Sequence, residues 1–552
     1  MFAGIAALSL FAAVCLVALI CAAAASKSIS RSKHQCYGVS TYVQFVHDKD
    51  DLNRFGYPQL LLRKFGHASS FGLSFHQLSL VGGTVALFGW AISEGGLAVI
   101  GWGWPIIGLF GIAAGAAMAE LCSAFPTAGG PYHWALALGG ARWSWLAGWL
   151  YVAGNAAFLA FTNYTGARVL SSYAANQFGY ANESWMCMLI MLVMYAMQWR
   201  VNRIRQHRFS AMQTIGIWLV AVIAFGAIAR IMWLSWPGVL PAEALFGFGG
   251  QTVGSADFLT ESSSSSPIGW LAGVLLLQRM FIGSEGAAAS AEETIDPRVR
   301  SAWSMYLAPV YVYIIGFVML AIVALNIPIA QGDSGVLGIG LTTLAHAWKA
   351  GEPIIIVAVF LAIGWSGVQG MNALSRILFA MSRDGALPDK MRWSRVSVRT
   401  GKPNSAVTAA AIISAGVGMS YAAWNGASAI GIPLAAFAAT ASQLGCAIPL
   451  GLRLLSARQR KELQEAPWSL GRLGTPIRWI AWIGMISMAV GATAVLSLSA
   501  GLAAIGIGII AWGAAVWRGA RFEKQLRKLF KRTRQELQRI ERKFGPLYLD
   551  GK

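Results

Sequence analysis

The stretch FGLSFHQLSLVGGTVALFGWAISE, residues 71–94, is long and apolar enough to cross a bilayer, yet Leu80-Val81-Gly82-Gly83-Thr84 interrupts it. A second stretch, IGWLAGVLLLQRMFIGSEGAAASAE at residues 268–292, is interrupted by Phe281-Ile282-Gly283-Ser284-Glu285-Gly286. Glycines with polar neighbours in mid-membrane free backbone donors and acceptors that hydrocarbon cannot satisfy. Such breaks persist only where they line a cavity or hold something. One break in each half of a chain is the sequence pointer to the central site of a secondary transporter. The competing reading is small-residue packing, in which glycine and alanine let helices approach closely.

Composition agrees with a polytopic membrane protein. The 552 residues are 56% hydrophobic and 12% charged, with a mean hydropathy of +0.56; a soluble domain carries about 25% charged residues. The net charge of +20 lies in connecting loops and in the tail. That is the pattern of cytoplasmic loops beside an anionic leaflet, and it argues against nucleic acid. The six cysteines (Cys15, Cys21, Cys36, Cys122, Cys187 and Cys446) show neither redox nor metal-ligand spacing, so no metal site is expected. No phosphate-binding loop supplies an ATP engine.

About twenty apolar residues cross a bilayer. That length predicts a leading span at 3–25, then 71–94, 98–123, 143–168, 184–199, 209–233, 268–291, 303–326, 352–379, 405–424, 428–452, 477–496 and 499–517. The fold class is therefore all-α and polytopic, with one leading helix and twelve core helices. Arg200, Arg203, Arg205 and Arg208, then Arg383, Arg392, Arg395, Arg399 and Lys402, crowd alternate connections. The positive-inside rule makes those connections cytoplasmic, together with residues 27–70 and the tail. The loop 234–267, with its five-serine run, faces outside, as does the triplet Asn182-Glu183-Ser184, a candidate glycosylation site. Residues 1–26 read as a retained anchor helix, since Lys27, Arg31 and Lys33 follow the apolar core and no base precedes it. In the tail, 518–552, Phe522, Leu526, Leu529, Phe530, Leu537 and Ile540 recur at helical spacing among basic residues. This predicts an amphipathic helix lying on the inner leaflet.

MAELCSAFPTAGGPYHWA (Met118–Ala135) is similar to the junction of the second and third helices of the amino acid/choline transporter family, within the amino acid–polyamine–organocation superfamily. DLNRFGYPQLLLR (Asp51–Arg63) resembles the segment before that family's first core helix. AEETIDPRVRSAW (Ala291–Trp303) resembles the end of its sixth helix, and SRILFAMSRDGALP (Ser375–Pro388) the end of its eighth. The resemblance implies two inverted five-helix repeats over residues 71–455, a leucine-transporter-like arrangement with the first and sixth helices unwound. It adds two peripheral helices at 456–517. It also implies a plasma-membrane amino acid permease that moves an amino acid such as GABA, or choline, a polyamine or a related amine, without a bound cofactor.

A zwitterionic substrate needs donors for its carboxylate and acceptors for its ammonium, and the two ends of a broken helix provide both. The expected binding set is Val81, Gly82, Gly83 and Thr84 opposite Phe281, Gly283, Ser284, Glu285 and Gly286. An unpaired carboxylate at mid-membrane costs roughly 2.5–3.5 kcal/mol on insertion scales. Glu285 is therefore expected to meet a substrate amine, a coupling proton or Arg279. Relatives usually carry an aromatic and an aspartate where this chain has Ser284-Glu285, which implies a ligand of different shape. A sodium site of the family's kind would need hydroxyls in Asn372-Ala373-Leu374-Ser375, where Ala373 cannot coordinate; proton coupling or exchange is favoured. Arg63, Glu120 and Asp384, near cytoplasmic helix ends, are candidate inner-gate charges, for example Arg63 with Asp384, or else solvated helix-end charges. Asn155, Asn163 and Gln369 either line the cavity or bond between helices, and His76 and His133 are candidate titrating or packing residues.

Rival classes are weaker. A channel would need rings of filter residues and an embedded enzyme a nucleophile or metal cluster; neither pattern is present. A nutrient sensor on the same scaffold is separated only by measured flux.

Overall fold

The computed structural model describes residues 2–31, 41–179, 184–236, 238–248, 266–327, 351–387, 392–397, 399–425, 431–455, 463 and 465–544. Lys33, Cys36, the glycosylation triplet's Asn182 and Glu183, and four of the five serines of the serine run, Ser262–Ser265, fall outside them. Among the described residues, regular structure is helical apart from two isolated bridge pairs. Among the same residues, thirteen helical segments are long and apolar enough to cross a membrane, at the positions the hydropathy predicts.

The elements in order are α1 (Phe2–Arg31), α2 (Thr41–Asn53), α3 (His67–Leu78), α4 (Leu80–Gly95), α5 (Trp104–Ala124), α6 (Pro131–Gly139), α7 (Ala141–Phe178), α8 (Ser184–Asn202) and α9 (Gln206–Ser235). There follow α10 (Pro267–Leu277), the one-turn α11 (Gly286–Ala289), α12 (Pro297–Leu325), α13 (Glu352–Arg383), α14 (Asn404–Asn425), α15 (Ile432–Leu455), α16 (Gly474–Gly491), α17 (Leu498–Phe530) and α18 (Arg534–Phe544). Burial divides them into two layers. The spans containing α3–α4, α5, α7 and α15 are mostly covered by protein, whereas α1, α8, α9, α16 and the membrane part of α17 leave most of their surface to lipid. An apolar helix needs no protein partner in hydrocarbon, so it is the polar helices that gather at the centre.

The basic connections converge on one face. There Lys402 Nζ donates to Asn202 O, Arg63 donates to Ala291 O and Thr294 O, Arg478 reaches Glu120, and Ser28 Oγ donates to Pro467 O. On this face the segment before α3 pairs with the segment before α12 in a short parallel ladder. Lys64 and Phe65 donate to Glu293 O, and Ile295 donates to Phe65 O.

The tail departs from expectation. Phe522, Leu526, Leu529 and Leu537 are buried against the protein's own basic face, whereas Phe530 is half exposed and Ile540 partly buried. Phe522 meets Trp145 edge-on at 5.5 Å, and Leu529 packs with Leu52 and Tyr57. Buried Glu541 pairs with Lys49 at 2.6 Å and accepts from Gln59 N at 2.9 Å. The pre-core segment offers an apolar patch and a free amide, and these satisfy the amphipathic helix within the molecule.

Candidate functional site

Both interruptions are present, and one is shifted. The first helix breaks at Ser79, which takes the left-handed conformation (φ 57°, ψ 51°) between α3 and α4. Gly82 and Gly83, the residues expected to break it, lie inside α4. Their role is close approach: a Cβ on Gly83 would sit 2.5 Å from Met280 Cγ, and one on Gly82 2.5 Å from Ser79 Oγ. The glycines make room, and the turn falls two residues after Gln77, which meets the second broken stretch at Gly283. That stretch is unwound as its sequence predicts. A tight turn at Gln278–Phe281 gives way to extended Ile282 and then to Gly283 at φ 125°. A Cβ on Gly283 would lie 2.8 Å from Gln77 O, so glycine is required there for both conformation and space.

The two breaks are tied by polar contacts. Ser74 Oγ donates to Ser284 O at 2.6 Å and accepts from Ala287 N at 3.1 Å. Gln77 Nε2 donates to Asn155 Oδ1 at 2.9 Å, and Gln369 Nε2 lies 3.4 Å from Gly286 O. Asn372 Nδ2 donates to Ser290 Oγ at 2.9 Å, and Ser375 Oγ to Asn372 O at 2.8 Å. Asn155, Gln369 and Asn372 thus serve as interhelical bonds. Asn163 does the same with Gln198, and His76 with Gln213.

Beside the second break is a small cavity of about 30 Å³ lined by Gln278, Phe281, Ile282, Gly283 and Glu285, by Ser442, Gln443 and Cys446 of α15, and by apolar residues of α5 and α16 such as Phe110 and Met485. That volume suits one or two waters, not an amino acid. Of the expected binding residues, Phe281, Gly283 and Glu285 reach it. Val81, Gly82, Gly83, Thr84, Ser284 and Gly286 are buried close by without lining it; the Thr84 hydroxyl is spent on Leu80 O. Arg279 donates to Ile282 O at 2.8 Å and lies 4.1 Å from the Phe158 ring centroid. It interacts with Glu285 through space, not by a direct ion pair. On and beside this lining, Gln278 Nε2, Arg279 Nε, Ser284 Oγ and Gln443 Oε1 are buried without a hydrogen-bond partner among the described residues. An orphaned buried polar atom costs about 1–3 kcal/mol, so a cluster of them marks a place built for something polar. Gln278, Gln443 and Tyr151 escaped the sequence reading, although glutamines inside apolar spans are the signal that finds such positions.

The charges at the basic face pair differently from expectation. Arg63 does not meet Asp384; its guanidinium is consumed by Gln59, Ala291 O, Thr294 O and Asp48 O. Asp384 instead lies 3.1 Å from His133 Nε2 and accepts from Tyr57 Oη at 3.1 Å. Arg376 holds Glu293 at 2.7 and 3.1 Å, and Arg383 holds Glu292 with two contacts of 2.8 Å. These groups are buried, so they are not solvated helix ends. Burial acts to raise the Glu292 carboxyl, but Arg383 and the Ala128 amide override it and hold the group below the usual carboxylate range. Burial pulls Arg63 down and pushes Asp48 up. Glu120 accepts from Leu470 N and Arg478, tying α5 to α16.

A many-helix bundle with two facing breaks, and a small cavity beside the second, defines a polytopic membrane transport protein. The chain belongs to the amino acid permease family, whose profile matches residues 65–518. It is 26% identical over 468 residues to amino-acid permease BAT1 of Arabidopsis thaliana, covering 80% of this chain and 87% of that one. It is 26% identical to the thiamine transporter thi9 of Schizosaccharomyces pombe, with 78% and 77% covered. It is 25% identical to the GABA-specific permease of Saccharomyces cerevisiae, with 80% and 76% covered.

Proposed function

We propose that the chain is a secondary active transporter of the plasma membrane that moves an amino acid such as GABA, or a related amine, by alternating access. The fold read here is two inverted five-helix repeats, α3–α4 opening the first and α10–α11 the second, with the basic face cytoplasmic. The observation that carries this reading is the meeting of two broken helices beside orphaned polar atoms. The first amides of α4, at Leu80, Val81 and Gly82, have no intrahelical acceptor and, with Gln278 and Tyr151, suit a carboxylate. Glu285 and the carbonyls of the second break suit an ammonium. Named relatives that carry amino acids, GABA and thiamine share an amine or cationic nitrogen in their substrates, which fits an acid at the site.

Glu285 also suits a coupling proton. Ala373, buried on α13, brings no oxygen for sodium. Uptake of a labelled amino acid and amine panel into proteoliposomes, with and without a pH gradient, tests the reading. Glu285→Ala or Gly83→Leu should abolish uptake while membrane insertion survives; normal uptake by both would remove the site. Ligand-induced stabilisation without flux would make the protein a sensor.

A further inference from the structure

A groove of about 400 Å³ lies between α3, α9 and α12, and it shares no lining residue with the central cavity. Its walls reach from His67 on α3 to Leu80 at the start of α4 and from Arg300 to Ile315 on α12. At 1.5 Å per residue, that is about 20 Å along each helix, more than half of the ~30 Å hydrocarbon thickness. Phe71, Phe75, Leu307 and Tyr311 make its interior apolar. Trp218 and Tyr311 are 69% and 48% exposed, so the groove opens sideways into the bilayer.

Charge is confined to one end. His67 and Arg300 close the groove at the basic face. Lys64, exposed, is brought to the same end because its carbonyl accepts from Ser210 at the start of α9. No carboxylate lines the groove. Asp296, one turn before Arg300, does not line the groove, but its buried carboxylate is close enough to act on His67, so Arg300 and Lys64 supply the net positive charge of this end. The two lining hydroxyls are already spent, Thr214 on Ser210 O and Ser304 on Ser70 and Arg300 O.

We infer that this groove is a binding site for an anionic phospholipid, one acyl chain lying along α3 and the phosphate meeting Arg300, His67 and Lys64. A sideways-open apolar slot this long is filled by a chain, not by water or a folded segment. A zwitterionic lipid would fill it equally well but would leave the cationic end without net negative charge, and anionic lipids are attracted by roughly 1 kcal/mol per nearby base, or about fivefold. The inference does not depend on which substrate is carried.

The test is lipid retention, measured by native mass spectrometry of the full chain released from nanodiscs that hold equal phosphatidylglycerol and phosphatidylcholine. The wild type should retain phosphatidylglycerol in preference. Arg300→Gln should reduce that preference about fivefold, and Arg300→Lys should restore most of it. Ala221→Trp, which fills the groove, should reduce retention of both lipids. Equal retention of the two lipids by the wild type would overturn the inference without reference to any variant. So would an Arg300→Gln protein with unchanged preference, equal protection of the wild type against heat by soluble glycerol phosphate, or a dimer that carries no lipid.

Discussion

Gly283 combines a left-handed backbone with a Gln77 carbonyl where its Cβ would be, whereas Gly83 faces only the side chain of Met280. Alanine at 283 should therefore cost about 1–3 kcal/mol from backbone strain alone, with the clash in addition. Alanine at 83 should cost less, because a methionine side chain can move. Thermal unfolding of the two variants in the same detergent checks the order; equal midpoints would contradict the conformation assigned to Gly283. Lys402 carries a second expectation. It is fully buried, 3.6 Å over the Phe209 ring and bonded to Asn202 O, and burial holds its ammonium well below the usual lysine range. The unfolded chain thus binds this proton more tightly than the folded one. Stability from this site should rise with pH between the depressed folded value and the ordinary value near 10.4. Lys402→Met should be the more stable protein near neutral pH, its advantage shrinking as pH is raised toward 10. Melting curves across that range read it directly, and an advantage that grows with pH would refute it.

At the scale of elements, the inner ends of the two broken helices are held by a parallel ladder and by Arg376–Glu293, a pair with both side chains 0% exposed. Removing one partner of a buried pair leaves the other charge uncompensated, at about 3–5 kcal/mol. Glu293→Gln should lose that much stability, and a double Glu293→Gln, Arg376→Met protein should recover part of it; a single variant as stable as the wild type would mean that the pair is solvated. The sequence made the charges visible but not the partners. Arg63, in the segment before α3, and Asp384, just past the end of α13, both lie at the basic face, yet Arg63 is captured by carbonyls of Asp48, Ala291 and Thr294, a choice made by tertiary packing. The first break shows the same limit. Gly82-Gly83 marked the right helix, but the turn fell at Ser79, because glycine permits a break without compelling one and the partner across the interface sets its place. The second break was legible because Gly283 is the only residue type able to adopt its conformation at that contact. The spans were legible because length and apolarity are all that a bilayer demands. The tail's amphipathic period was legible too, but not what its apolar face meets. Leu529→Asp, which removes the end of α17 from Leu52 and Tyr57, combined with Leu537→Asp in α18, should loosen the tail, seen as faster amide exchange over residues 534–544. Unchanged protection would mean that the Glu541 contacts alone hold it.

For the whole molecule, the decisive feature is closure. The cavity beside Glu285 is too small for a substrate, and between it and the basic face stand the ladder, Arg376–Glu293, Arg383–Glu292 and the Tyr57–His133–Asp384 cluster. The alternating access proposed above requires that these contacts part. Cys446 lines the cavity and is buried, so it reports on the passage from inside. In a protein whose other five cysteines are replaced by alanine, a small charged methanethiosulfonate applied from the basic face should react slowly with Cys446. Glu293→Gln, combined with Glu292→Gln, biases the equilibrium toward the open arrangement without touching the cavity, and it should accelerate that reaction. A shift of 1.4 kcal/mol toward the open state corresponds to a tenfold gain in its population. Transported substrate should slow the reaction again by occupying the space beside Cys446. Labelling at one rate in all three conditions would mean that the passage does not run through these pairs, and the basic face would then be a structural cap on a route that opens elsewhere.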